Sequence, residues 1–188
     1  MKKIAIFGSG AGSNAENICK YFFESKDVKI VFICTNNKKA FIIKRAKKLN
    51  IPVVYTKKSE LEDFTKIKKK LKFFNVDFII LAGFLLKIPL KMIISYNKKI
   101  INIHPSLLPK YGGKGMYGEN VHKAVLKNKE VESGITIHFV DQNYDEGEVL
   151  LQKKCVVSKN ETVDSLKKKI RVLELKYFPP TIKKIIFK

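Results

Sequence analysis

Residues 3–7 form a short apolar run that ends in glycines, and residues 28–34 and 52–55 repeat the pattern with β-branched side chains bounded by turn formers. Runs of this length and composition predict strands. The stretches between them, about 14–25 and 40–49, have helical character, as does 60–74. Residues 78–82 are almost continuously apolar, the pattern of a strand covered on both faces. A helix after Pro89, a strand near 99–102, a helix near 120–128 and strands near 134–140 and 148–157 continue the alternation. The last segment, 162–186, reads as a helix interrupted at Pro179 and Pro180, because proline lacks an amide hydrogen and disfavours helix in the residue before it. Strand and helix therefore alternate along the chain, which predicts an open α/β sheet. In such sheets ligands sit at the carboxyl ends of the strands, near the point where strand order reverses.

Length and composition narrow this picture. With 188 residues, 45% of them hydrophobic, the chain can bury one sizeable core. No Pro-, Gly- or Ser-rich linker, repeat or low-complexity tract divides it, so residues 1–188 are expected to form a single domain. The first apolar run stops too soon for a secretory leader. The longest apolar stretch, 78–86, falls short of the roughly 20 residues that span a bilayer. A soluble, cytoplasmic protein with no membrane partner is expected. Cys19, Cys34 and Cys155 are scattered and lack metal-ligand spacing, so reduced, mostly buried thiols and no metal site are expected.

The net charge is +21, a field that draws polyanions. Almost all of it is lysine, however, with Arg45 and Arg171 the only arginines, whereas phosphate- and base-reading surfaces favour arginine's bidentate fork. The abundance of Ile, Asn, Phe and Lys is the pattern of an AT-rich coding sequence. Runs such as Lys68-Lys69-Lys70 and Lys167-Lys168-Lys169 then read as solvated helix faces, and no specific nucleic-acid partner is expected.

Three segments carry candidate chemistry. The first, Gly8-Ser9-Gly10-Ala11-Gly12-Ser13-Asn14, follows the first strand and opens the first helix, where backbone amides and the positive helix end can face an anion. It is neither a dinucleotide fingerprint, since Ser13 stands where the third glycine belongs, nor a P-loop. A phosphate seat and a tight turn with Ser13 or Asn14 capping the helix both remain open. In the second, Ile100-Ile101-Asn102-Ile103-His104-Pro105, strand alternation points Asn102 and His104 to one side. Two polar side chains at the end of an apolar strand suit a pocket lining, and a satisfied structural histidine is the alternative. The third, Tyr144-Asp145-Glu146-Gly147, lies between two predicted strands, where an ordinary turn also favours Asp and Gly. His122 and His138 read as structural, although His138 shares a strand face with Thr136.

Together, Ile101-Asn102-Ile103-His104-Pro105-Ser106-Leu107-Leu108-Pro109, then Gly134-Ile135-Thr136-Ile137-His138-Phe139-Val140, then Tyr144-Asp145-Glu146-Gly147 resemble the folate-dependent formyltransferase family, in the family's order. The resemblance extends over essentially the whole chain. It takes in Gly12-Ser13-Asn14, Leu81-Ala82-Gly83-Phe84 and Gly112-Gly113-Lys114-Gly115-Met116-Tyr117-Gly118. It implies a Rossmann-like open, mostly parallel sheet with helices on both faces. It also implies transfer of the formyl group of 10-formyltetrahydrofolate to the amino group of glycinamide ribonucleotide, a step of de novo purine biosynthesis that needs no metal. Relatives that act on methionyl-tRNA or hydrolyse formyltetrahydrofolate carry an additional domain, for which no residues remain here.

Residue by residue, the resemblance implies that Asn102, His104 and Asp145 form the catalytic group. Gly12, Ser13 and Asn14 would hold the substrate phosphate, and Glu174 would accept from the ribose hydroxyls. Leu85, Leu86, Lys87 and Ile88, with Asn102, Asp141, Gln142, Asn143 and Tyr144, would contact the folate. The arginine that some relatives direct at the folate tail is missing, leaving Lys57 or Lys58 as substitutes. In the implied reaction Asn102 and protonated His104 are donors to the oxygen that becomes negative, a role worth about 3–4 kcal/mol per donor. Asp145 would favour the imidazolium and organise a water that relays the amine proton. The rival readings are a formyltetrahydrofolate hydrolase and, more distantly, a basic nucleic-acid-binding module.

Overall fold

Burial along β1 (Lys2–Phe7) rises from an exposed start to a fully enclosed Ile4, Ala5, Ile6 and Phe7, as expected for a strand flanked by others on both edges. In the computed structural model, which describes residues 1–188, β1 pairs in parallel with β2 (Val28–Thr35) on one side and β4 (Phe78–Leu81) on the other. β2 pairs in parallel with β3 (Val53–Tyr55). Later in the chain β6 (Glu132–Phe139) and β7 (Val149–Val156) form an antiparallel pair. With β5 (Ile100–His104), hydrogen bonding orders the strands β3-β2-β1-β4-β5-β6-β7, a mostly parallel mixed sheet of seven. The helices are α1 (Ser13–Tyr21), α2 (Ile42–Lys48), α3 (Lys58–Asp63), α4 (Thr65–Phe73), α5 (Leu90–Ser95), α6 (Glu119–Lys127) and α7 (Val163–Ile186).

The chain divides into two compact units, Met1–Ile101 and Asn102–Lys188. In the first, strand order reverses at β1, because β2 and β3 build to one side and β4 to the other. The loops leaving β1 and β4 are tied together at that point. Ser9 N–H donates to the Gly83 carbonyl at 2.9 Å, and Leu85 N–H to Ser9 Oγ at 2.9 Å. Cys19 and Cys34 are buried in this unit as free thiols, and burial pushes both up to about 12. In the second unit α7 packs on β6, β7 and α6 through a buried row that includes Leu166, Ile170, Phe178, Ile182 and Ile186.

Two sequence expectations are corrected. The helix expected over 60–74 is two helices, α3 and α4, joined at Phe64, whose φ of 67° lies in the left-handed region. That conformation costs a non-glycine residue roughly 1–2 kcal/mol, and Phe64 offsets it by burying its ring almost completely. The interruption expected at Pro179 and Pro180 is absent, since α7 continues through both prolines as far as Ile186. Prolines forgo two helical hydrogen bonds, but Phe178, Pro179 and Ile182 are all buried, so packing of the apolar face holds the backbone where local preference would break it. No helix is long and apolar enough to cross a membrane.

If packing rather than propensity holds α7 together, Phe178→Ala should lower stability by roughly 3–5 kcal/mol. Urea denaturation would show this as a lower midpoint at unchanged slope.

Candidate active site

The end of β5 and the two loops that follow it in the second unit converge on one carboxylate. His104 is 4% exposed and Asp145 has 12% of its side chain exposed. Asp145 Oδ2 accepts a hydrogen bond from Gly113 N–H at 2.9 Å and stands 3.5 Å from His104 Nδ1. Its other oxygen, Oδ1, is 3.6 Å from Nε2 of His138, which is 2% exposed. Asn102, half-buried on the same strand as His104, brings its amide nitrogen to 3.1 Å from His138 Nε2. The structure thus gathers Asn102, His104 and Asp145 in one place, and adds His138 and the Gly113 amide to them.

Local structure explains how this forms. Asp145 adopts φ 59°, a left-handed conformation that Asp tolerates better than most residues, and this turns its carboxylate back toward β5 and β6. At Gly147, two residues on, an added Cβ would overlap the Phe139 carbonyl oxygen, so only glycine lets the loop lie this close to the end of β6. The segment after β5 is held by a buried network around Thr136. The Thr136 hydroxyl donates to the Ser106 carbonyl at 2.7 Å and accepts from Leu108 N–H at 3.0 Å and Gln152 Nε2 at 2.9 Å. Ser106 Oγ in turn donates to the Lys110 carbonyl at 2.6 Å. Tyr111 then anchors its hydroxyl on Glu130 at 2.8 Å, which leaves its carbonyl facing His104.

Electrostatics assign resting charges. His104 Nε2 lies 2.8 Å from the Tyr111 carbonyl, which can only accept, so Nε2 carries the hydrogen. Burial lowers the His104 pKa below the ordinary histidine value, outweighing the opposite pulls of Asp145 and the Tyr111 carbonyl. The resting imidazole is therefore neutral, with Nδ1 bare and 3.5 Å from Asp145 Oδ2. Burial acts to raise the Asp145 pKa, but the two imidazoles and the Gly113 amide together hold it below the usual carboxylate range. The result is an ionised carboxylate beside a neutral base.

The glycine loop occupies the first unit. Gly12 sits at φ 76° as the N-terminal cap of α1, and a Cβ there would collide with Ile42, so the helix starts with no side-chain cap of its own. Neither Ser13 nor Asn14 caps α1. Ser9 Oγ is held by Asn36 at 2.5 Å and the Ala11 carbonyl accepts from Arg45 Nε at 3.0 Å. Arg45 also pairs with Glu16 in the first turn of α1, and Lys20 reaches the same carboxylate at 2.9 Å. These cations compensate the one acid that would oppose an anion at the helix start.

The remaining expected residues are placed as follows. Leu85 is exposed, Leu86 half-buried, Lys87 exposed and Ile88 buried in the loop after β4. Asp141 is half-buried and Gln142, Asn143 and Tyr144 are exposed in the loop between β6 and β7, where Asn143 N–H donates to Asp141 Oδ1 at 2.9 Å. Glu174 is half-buried on α7. Lys57 and Lys58 are exposed at the start of α3, with Lys58 3.8 Å from Glu62. Sequence reasoning singled out His138 but read it as structural, and it missed Arg45, the Tyr111 carbonyl and the Gly113 amide. For His138 the signal was present, since it and Thr136 are polar residues on one face of an otherwise apolar strand, the same reasoning that singles out Asn102 and His104.

The chain belongs to the formyl transferase family, whose sequence pattern matches residues 2–182. The chain is similar to the chloroplastic phosphoribosylglycinamide formyltransferase of Arabidopsis thaliana, at 39% identity over 90% of this chain and 60% of that protein. It therefore spans less than two thirds of that relative's length. It is also 33% identical to the phosphoribosylglycinamide formyltransferase of Bacillus subtilis, over 99% of this chain and 95% of that one. The crystal structure of the Bacillus halodurans phosphoribosylglycinamide formyltransferase superposes with a TM-score of 0.90 at 28% identity, covering 100% of this chain and 96% of that one.

Because folding lowers the His104 pKa, the unfolded chain binds a proton more readily. The stability of burying it neutral is thus present above the ordinary histidine value of about 6.5 and lost as pH falls through the lower folded value. His122, also pushed down chiefly by burial, acts in the same direction. Chemical denaturation should show a loss of stability on acidification from neutral pH, and His104→Gln should flatten part of that slope. An unchanged slope in the variant would contradict a buried neutral His104.

Proposed function

We propose that residues 1–188 act as a single formyltransferase domain that moves the formyl group of 10-formyltetrahydrofolate onto the amino group of glycinamide ribonucleotide, giving formylglycinamide ribonucleotide in purine biosynthesis. The observation that carries this reading is the placing of His104 beside the buried carboxylate of Asp145, with Asn102 next to both through His138, within a chain of the formyl transferase family. We assign the reaction to the cytoplasm, in keeping with three free cysteines.

The folate co-substrate supplies a carbonyl carbon bonded to nitrogen and open to attack by an amine. The chain supplies the proton handling. Neutral His104 presents its Nδ1 lone pair to the attacking amine and accepts its proton, directly or through a water. The resulting imidazolium is stabilised by Asp145 on one side and the Tyr111 carbonyl on the other, so the charged form expected from the resemblance is made during the reaction rather than stored. Its Nδ1–H then becomes a donor, and with an amide N–H of Asn102 it meets the charge developing on the carbonyl oxygen. Protonating the departing nitrogen returns His104 to its resting form.

The other contacts follow from the chemistry of the segments. The start of α1, with backbone amides at Ser13 and Asn14 and a compensated Glu16, suits the substrate phosphate. The exposed Leu85 with Leu86, Lys87 and Ile88 offers apolar surface to the folate. The segment Asp141, Gln142, Asn143 and Tyr144 offers it polar groups, with Asn102 beside the reacting carbon. Glu174 is assigned to the ribose hydroxyls and Lys57 or Lys58 to the folate tail. The lysine runs fit solvated faces, since Lys68, Lys69 and Lys70 are all exposed around buried Ile67 and Leu71 on α4.

The direct test incubates purified protein with glycinamide ribonucleotide and 10-formyl-folate and follows the formylated product. Asn102→Ala, His104→Ala and Asp145→Ala should each lower kcat by about 100-fold or more while the circular dichroism spectrum is retained. Near-normal turnover in all three would defeat the assignment. Formate release that does not depend on added glycinamide ribonucleotide would transfer the reading to a hydrolase.

A further inference from the structure

His138 has no assigned part in the chemistry above, yet it is one of the most completely buried polar side chains in the second unit and touches two of the three proposed catalytic residues. Its surroundings determine its tautomer. Nδ1 lies 2.8 Å from the carbonyl oxygen of Phe139, an atom that can only accept, so Nδ1 carries the hydrogen. In the neutral ring Nε2 is then a bare acceptor. The atom of Asn102 facing it at 3.1 Å must be the amide nitrogen, since the amide oxygen would set lone pair against lone pair. Asp145 Oδ1, at 3.6 Å, is beyond hydrogen-bonding range of the same nitrogen. The Asn102 amide thus takes the Nε2 lone pair, while the carboxylate keeps its hydrogen bond from Gly113.

The backbone is shaped for this. The β6–β7 register shifts between Ile137 and His138, so that His138 pairs with Val149 after Ile137 has paired with Leu151. A bulge re-aims the side chain at which it falls, and such irregularities concentrate beside active sites. Here it falls at the residue that holds Asn102.

We propose that His138 is a positioning residue. Its ring, oriented by the Nδ1–H bond to the Phe139 carbonyl, accepts at Nε2 one amide hydrogen of Asn102 and so holds that amide in the single orientation that presents its other N–H to the reacting carbonyl oxygen. A carboxamide is nearly symmetric in shape, and a half-turn about its last torsion exchanges a donor for an acceptor. Without His138 the Asn102 amide populates both orientations, and one of them places an oxygen against the charge it should stabilise. This inference rests on the transferase reading for its kinetic consequence and on geometry alone for the hydrogen bond.

Two variants separate the two ends of the imidazole. In His138→Gln the amide oxygen reaches the place of Nε2 and can still accept from Asn102. In His138→Asn the shorter amide reaches only the place of Nδ1, keeping the donor to Phe139 and losing the acceptor. His138→Gln should keep kcat within about threefold of the parent, and His138→Asn should lose about tenfold or more, with KM for both substrates changing by less than about threefold. Equal kcat in the two variants would overturn the proposal, as would a loss expressed mainly in KM. A second measurement needs neither activity nor a change at His138. Long-range 1H–15N spectra of the histidine-labelled parent protein should show His138 protonated at Nδ1 and bare at Nε2, with the Nε2 signal moving in Asn102→Ala. A ring protonated at Nε2 and bare at Nδ1, or a signal indifferent to Asn102→Ala, would remove the hydrogen bond on which the inference stands. If the parent shows no transfer to glycinamide ribonucleotide, the functional reading fails, and the spectra still decide whether His138 holds Asn102.

Discussion

A carboxylate withdrawn from water must be satisfied where it lies, and in the second unit that obligation falls on Asp145. It accepts a hydrogen bond from one backbone amide and lies within 3.6 Å of two imidazoles, none of them a permanent cation. An arginine or lysine in the same place would have locked the carboxylate into a static ion pair. Two titratable rings and an N–H instead leave it able to stabilise a positive charge that comes and goes. The left-handed backbone at Asp145, the closely packed Gly147 and the loop pinned through Thr136 are all spent on keeping those partners in reach.

Elsewhere, too, packing overrules local preference. Phe64 accepts a conformation that bulky side chains avoid, and Pro179 and Pro180 sit inside a helix they would ordinarily break. In each case buried apolar residues at or beside the offending position provide the compensation. The site depends on the second of these concessions, because α7 packs on β6, the strand that carries Thr136 and His138.

The amino-acid order exposes much of this and conceals the rest for identifiable reasons. The alternation of apolar runs predicts the α/β sheet and most of its elements, since burial on both faces of a central strand writes a continuous apolar run into the chain. Asn102 and His104 are legible because alternation puts two polar residues on one face of an otherwise apolar strand. The break at Phe64 and the continuity through Pro179 are not, because both are decided by contacts distant in sequence. His138 reads as a structural residue for the same reason, as its importance lies in the partners that β5 and the loop after β6 bring to it. The Tyr111 carbonyl and Gly113 amide are hidden more deeply, since every residue has such groups and only the fold chooses which of them matter.

The two thiols enclosed in the first unit, Cys19 and Cys34, have a practical corollary. With their pKa values raised to about 12 they are almost wholly protonated at neutral pH and shielded from reagents, whereas half-buried Cys155 lies in the second unit. Alkylation at Cys19 and Cys34 is therefore a clock for the opening of the glycine-loop half of the molecule, one that natural composition has already installed and that requires no engineered probe.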